Sequence, residues 1–237
     1  MRIFSQIISW IFMPLFMPIY ALLLVMFVPS NIDFMQNDQC MYAMDIQFKK
    51  AFLYMFLIFS VLAPGISFLL LKRSGMIGSL EMDDQRERFV PILVMAIYCL
   101  VLFFYIIYLI DANRLVVPKF IVALPLSGAV VTTLFLFVNR WKKISIHAAA
   151  VGILTGFVLA YILQQIEFQL WVFTISILIS GLVMSARLYL QKHTFSEVII
   201  GWFIGSFITF AIIAVIAAML MYMVKPDYWL KMKSIDF

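Results

Sequence analysis

Seven stretches of this chain are too long and too apolar to be ordinary core segments. They cover residues 7–27, 51–71, 89–110, 120–138, 148–163, 168–184 and 198–224. Crossing the hydrocarbon core of a bilayer as a helix takes roughly 20 mostly apolar residues. In lipid every backbone N–H and C=O must be satisfied by the protein itself, which leaves helices and closed barrels. The alternation of a barrel strand is absent, so the chain is expected to be all-α, a polytopic transmembrane helix bundle with six or seven spans. The first run carries Pro14 and Pro18 and is expected to kink or re-enter. The fifth is short, with Ser145 as an earlier possible start.

Charge supports the same reading. Of 237 residues, 65% are hydrophobic and 12% charged, with a mean hydropathy of +1.08. Soluble domains carry about a quarter charged residues; this chain has too few to cover a globule in water. No polar linker divides it, so residues 1–237 are expected to form a single integral membrane domain. The net charge of +5 is spread between apolar runs, which argues against nucleic acid and suits contact with the headgroups of membrane lipids. Cys40 lies in a polar loop and Cys99 inside an apolar run, so no disulfide is expected. Arg2 followed by an apolar stretch looks like a signal peptide, but the prolines and the lack of a small-residue cleavage site favour a retained first span.

If every run crosses, residues 72–88, 139–144 and 187–196 share one side of the membrane, side A. Residues 29–50, 111–119 and 164–167 share the other, side B. The polar chemistry gathers on side A. The chain's two histidines, His147 and His193, both sit there at helix ends. One follows Arg140-Trp-Lys-Lys143-Ile-Ser145-Ile. The other lies in Ser185-Ala-Arg187-Leu-Tyr-Leu-Gln-Lys-His193-Thr-Phe-Ser-Glu197. A third stretch reads Asp83-Asp-Gln-Arg86-Glu-Arg88-Phe-Val-Pro91. Arginine holds phosphate through planar, bidentate, charge-assisted bonds. Histidine can attack phosphorus or protonate a leaving oxygen near neutral pH. Helix N-termini add donors for an anion.

Arg187-x5-His193-x3-Glu197 resembles the third motif of the type 2 phosphatidic acid phosphatases (PAP2), R-x5-H-x3-D. Ile144-Ser145-Ile146-His147 resembles their second, P-S-G-H, and Arg88 with Pro91 resembles the end of their first, K-x6-R-P. The order of the motifs fits as well, and a PAP2-like core is expected over approximately 51–224. Glu197 stands where the family has Asp, Ile144 and Ile146 where it has Pro and Gly, and Glu81 where it has the first-motif Lys. The resemblance implies a metal-independent membrane phosphatase that removes phosphate from a lipid phosphate or lipid diphosphate and needs no cofactor. In that scheme His193 forms a phosphohistidine, Glu197 orients His193, and His147 protonates the leaving group. Arg187, Arg88, Ser145 and Lys143 hold phosphoryl oxygens, and Arg86 substitutes for the missing lysine. The partner implied is a phosphorylated lipid, in the cell's inner membrane. Side A carries more of the Lys and Arg residues than side B, which by itself favours the cytoplasm. Phosphate binding accounts for several side A arginines, however, and the resemblance implies an outward-facing site, so side A is expected to be extracytoplasmic.

Plainer readings stand beside these. Thr194-x-x-Glu197 is also a capping box, Ser145 is also a helix cap, and Arg86 is also a solvated loop charge paired with Glu87, Asp83 or Asp84. Lys142, Lys143, Lys192 and Trp141 also fit an interfacial belt. Two other functions compete: a bis-histidine haem protein with His147 and His193 as axial ligands, and a catalytically degenerate, PAP2-like lipid-binding protein. Gly152-x3-Gly156 and Gly201-x3-Gly205 predict close packing of the fifth and seventh spans.

Overall fold

A computed structural model describes residues 1–31, 40–79 and 85–232, without the side chains of 31, 168 and 217–232. Glu81, Asp83 and Asp84 lie outside the described residues. The fold is all-α. The first run is two helices, α1 (Arg2–Ile11) and α2 (Met17–Phe27), joined by an elbow with a 3-10 turn at Pro14–Phe16. Both prolines sit in first turns, where a missing N–H costs nothing. The expected kink therefore falls between two helices rather than inside one.

The second span is α3 (Ile46–Phe56), a π-helical turn (Leu57–Leu62) and α4 (Ala63–Arg73). Asp45 caps its start, accepting from the Gln47 amide at 2.7 Å. Pro64 cannot donate to the turn before it, and the wider π turn accommodates that gap. A 3-10 turn at Arg86–Arg88 leads into α5 (Phe89–Asn113). Then come α6 (Lys119–Val138), α7 (Ile146–Ile162), α8 (Leu170–Tyr189) and α9 (Phe195–Met232).

Six segments are long and apolar enough to cross a membrane: 2–27, 46–73, 86–113, 119–138, 170–189 and 195–216. The chain is a multi-pass membrane protein by this measure. Helix α7, at 17 residues, is about 26 Å long and sits centrally, packed on α9, α8 and α2. On side B, Ser30–Asn31 pairs antiparallel with Glu167–Phe168, and the Tyr161 hydroxyl lies 2.9 Å from that of Ser30. The outer surface is apolar, with Phe104, Tyr108, Phe203 and Phe207 exposed, as lipid contact requires.

The tightest seam is between α7 and α9. A Cβ at Gly152 would overlap the carbonyl of Trp202, at Gly156 that of Ser206, at Gly205 that of Ala149, and at Gly201 that of Ser145. Only glycine lets the two backbones approach this closely. The packing predicted for the fifth and seventh spans is present, and it sets the starts of the two histidine-bearing segments side by side.

Candidate active site

The α8–α9 corner carries the third motif. Arg187 is in the last turn of α8, buried at 4% exposure. Gln191 takes a left-handed conformation, φ 56°, and the Lys192 amide bonds back to the Arg187 carbonyl at 3.1 Å. That reversal brings His193 under the start of α9. Thr194 then caps the helix. Its hydroxyl accepts from the Glu197 amide at 3.4 Å, and its own amide donates to Glu197 Oε2 at 3.4 Å. The same carboxylate oxygen lies 2.8 Å from His193 Nδ1. The capping box and the His–Glu pair thus coexist on one oxygen.

The second motif leans on this corner. Ser145 is fully buried. Its hydroxyl caps α7 by accepting from the Ala148 amide at 3.3 Å, and its amide donates to the Glu197 carbonyl at 3.3 Å. Lys143 Nζ donates to the Lys192 carbonyl at 3.1 Å. His147 occupies the first turn of α7 and lines the same cavity as Ser9 of α1.

The first motif arrives from the start of α5. Arg88 is buried at 3% exposure and its Nη1 donates to the Ile144 carbonyl at 3.1 Å. Gln85 and Asn139 exchange side-chain-to-backbone bonds beside it. All three side A stretches therefore meet.

A cavity of about 200 Å³ opens among them, with Arg88, His147, Arg187 and His193 on its wall and no carboxylate among its lining residues. Two guanidinium groups and two imidazoles around one void suit an anion by charge and donor count. Burial holds His193 below the ordinary imidazole pKa. The bond to Glu197 pulls the other way, and Arg88, Arg187 and Lys143 add to the lowering. A neutral imidazole with Nδ1 engaged leaves Nε2 as the nitrogen with a free lone pair.

The remaining expected residues are placed differently. Glu197 stands behind His193. Ser145 and Lys143 bind backbone beneath the site and do not line the cavity. Arg86 is exposed and away from the wall, while its neighbour Glu87 accepts from the Gly78 amide at 3.0 Å. Among the described residues no group of three or more His, Cys, Asp or Glu is placed to hold a metal ion. Sequence reading missed the contribution of α1 and α4, whose Ser9, Trp10, Gly65 and Leu69 line the cavity. Nothing in an apolar run distinguishes a cavity-lining residue from one that faces lipid.

Residues 134–221 match the PAP2 superfamily, so the resemblance carried by the motifs is borne out. The matched segment holds His147, Arg187, His193 and Glu197 and stops short of Arg88. No curated protein and no solved structure matches the chain. The family match supports a phosphatase-type protein in general.

Proposed function

With residues 134–221 matching the PAP2 superfamily as premise, we propose that this membrane protein removes phosphate from a lipid phosphate or lipid diphosphate through a phosphohistidine on His193. The observation that carries the reading is the 2.8 Å contact of His193 Nδ1 with Glu197 Oε2 at the wall of a cavity shared with Arg88 and Arg187.

The chemistry follows in two steps. His193 Nε2 attacks phosphorus, forming a P–N bond as the P–O bond to the lipid breaks. The leaving oxygen takes a proton from His147, and Glu197 stabilises the positive charge growing on the His193 ring. Water then attacks the phosphohistidine, the P–N bond breaks, and inorganic phosphate leaves. His147, now neutral, takes the proton of that water and is reset as an acid. Arg88 and Arg187 hold the equatorial oxygens as charge redistributes, which is where preorganised donors lower a barrier most.

The test is release of inorganic phosphate by purified protein in mixed micelles. The panel would contain phosphatidic acid, phosphatidylglycerol phosphate, a polyprenyl diphosphate and a lipid A phosphate. Turnover of at least one, abolished by His193→Ala, is the expected result. Tight phosphate binding without turnover of any would replace this reading with that of a lipid-phosphate-binding protein.

A further inference from the structure

The cavity does not end at its charged wall. It continues between the α1–α2 elbow and α4 along apolar side chains, among them Met13, Leu69 and Met95. Trp10 and Leu69 line it and are also 56% and 57% exposed, so the cavity reaches the surface of two segments that are long and apolar enough to cross a membrane. Helix α1 packs on α8 and helix α4 on α5, and the mouth lies between them. A second apolar cavity of about 80 Å³ shares wall residues Pro14, Met95, Thr132 and Phe135 with the first and extends the slot into the bundle.

Gly65 stands on the wall of this slot. It lies in the first turn of α4, directly after Pro64 and the π turn. A Cβ there would meet nothing within 4 Å. The glycines of the α7–α9 seam are forced by contact; this one is not. Glycine in a helix costs about 1 kcal/mol relative to alanine, and no neighbour repays that cost at position 65. What its absent side chain provides is open bore.

We propose that Gly65 is a specificity-determining position that sets the bore of a slot holding the hydrocarbon chain of the lipid phosphate. The proposal rests on the reading of a phosphorylated lipid as substrate. The occupant follows from continuity: the charged end of the cavity suits a phosphoryl group, the rest is apolar, and the cavity reaches the surface at Trp10 and Leu69, on two segments long and apolar enough to cross a membrane.

The test compares Gly65→Ala and Gly65→Phe in the full chain. A Cβ at position 65 meets nothing within 4 Å, so Gly65→Ala should match or exceed the native protein in thermal stability, and a melting curve in detergent establishes that Gly65→Phe is folded before its kinetics are read. Gly65→Phe should lower kcat/KM for a long-chain lipid phosphate by about tenfold or more while an activated aryl phosphate, which has no chain, stays within about twofold. Equal loss on both substrates, or no loss on either, would overturn the proposal. A lipid phosphate carrying a photoreactive diazirine along its chain gives a readout independent of turnover. Labelling should map to Leu69 and Met95 and fall in Gly65→Phe. If that pattern appears and no lipid is hydrolysed, the phosphatase reading fails and the slot stands. If lipids are hydrolysed but labelling is elsewhere and insensitive to Gly65→Phe, the slot fails and the phosphatase reading stands.

Discussion

His193 Nδ1 and Glu197 Oε2 lie 2.8 Å apart, and that oxygen also accepts the Thr194 amide at the head of α9. The carboxylate fixes the imidazole by the same contacts that start the helix. His193→Ala is expected to abolish any phosphoenzyme. Glu197→Gln keeps a capping side chain but loses the charge, so it should cut kcat by about 10²-fold or more while substrate binding changes little. Acid-labile, base-stable phosphate trapped on His147 and absent from His193 would reverse the assignment.

His147 has no carboxylate partner among its described contacts; it shares the cavity with Ser9 of α1 and with Arg187. As the acid, its loss should be felt in proportion to how poor the leaving group is. His147→Ala is expected to slow alkyl phosphates by about 10²-fold or more and to spare activated aryl phosphates in part. Equal slowing of both, measured as kcat/KM, would argue against proton donation.

The pH profile carries a sign. His193 must be neutral to attack, and its pKa is lowered by burial, with Arg88, Arg187 and Lys143 adding to the effect and Glu197 opposing it. Protonation therefore sets in only below the ordinary imidazole value of about 6.5. For an activated aryl phosphate, kcat/KM should hold as pH falls through that value and drop only at lower pH. Glu197→Gln removes the opposing contribution, so its acid limb should move lower still. An acid limb above the ordinary imidazole value would contradict the assignment.

On the proposed mechanism phosphate release should survive excess chelator, because Arg88 and Arg187 on the cavity wall take the place of a cation in balancing the phosphoryl charge. Loss of activity in chelator, restored by magnesium, would reject the mechanism.

The α7–α9 seam predicts a stability contrast. Gly205→Leu drives a side chain into the Ala149 backbone and should destabilise the protein by about 3 kcal/mol or more, read as a lower melting temperature in detergent. Gly181→Leu on α8 meets nothing within 4 Å and should be close to neutral. Similar losses in both variants would show that the seam is not what holds the bundle.

Much of this architecture was legible in the sequence because bilayers impose length and polarity on each span, and because Arg187, His193 and Glu197 keep a fixed spacing around one helix corner. The shared role of Glu197 was visible in Thr194-x-x-Glu197, as cap and as partner. What was not legible depends on rotation about helix axes and on tertiary closure. Arg86 and Arg88 are two residues apart on one 3-10 turn, so they point in different directions; Arg88 is buried and Arg86 is exposed. Spacing cannot say which one turns inward. Ser145 and Lys143 were expected to hold phosphoryl oxygens; in the structure Ser145 accepts from the Ala148 amide, Lys143 donates to the Lys192 carbonyl, and neither is among the residues lining the cavity. The part of α1 and α4 in the cavity follows from an elbow and a π turn, which hydropathy does not encode.

His147 lies in the first turn of one of the two helices whose backbones touch and His193 in the corner just before the other, and the Ser145–Glu197 bond ties the starts of those helices together. On the proposed mechanism, nucleophile and acid are thus mounted on one chassis, with little relative travel left to either. On that reading, the breathing that admits a lipid phosphate falls to the opposite jaw, the α1 elbow and the π-turned second span. Reorganisation among the reacting groups is then settled when the chain folds rather than at each turnover.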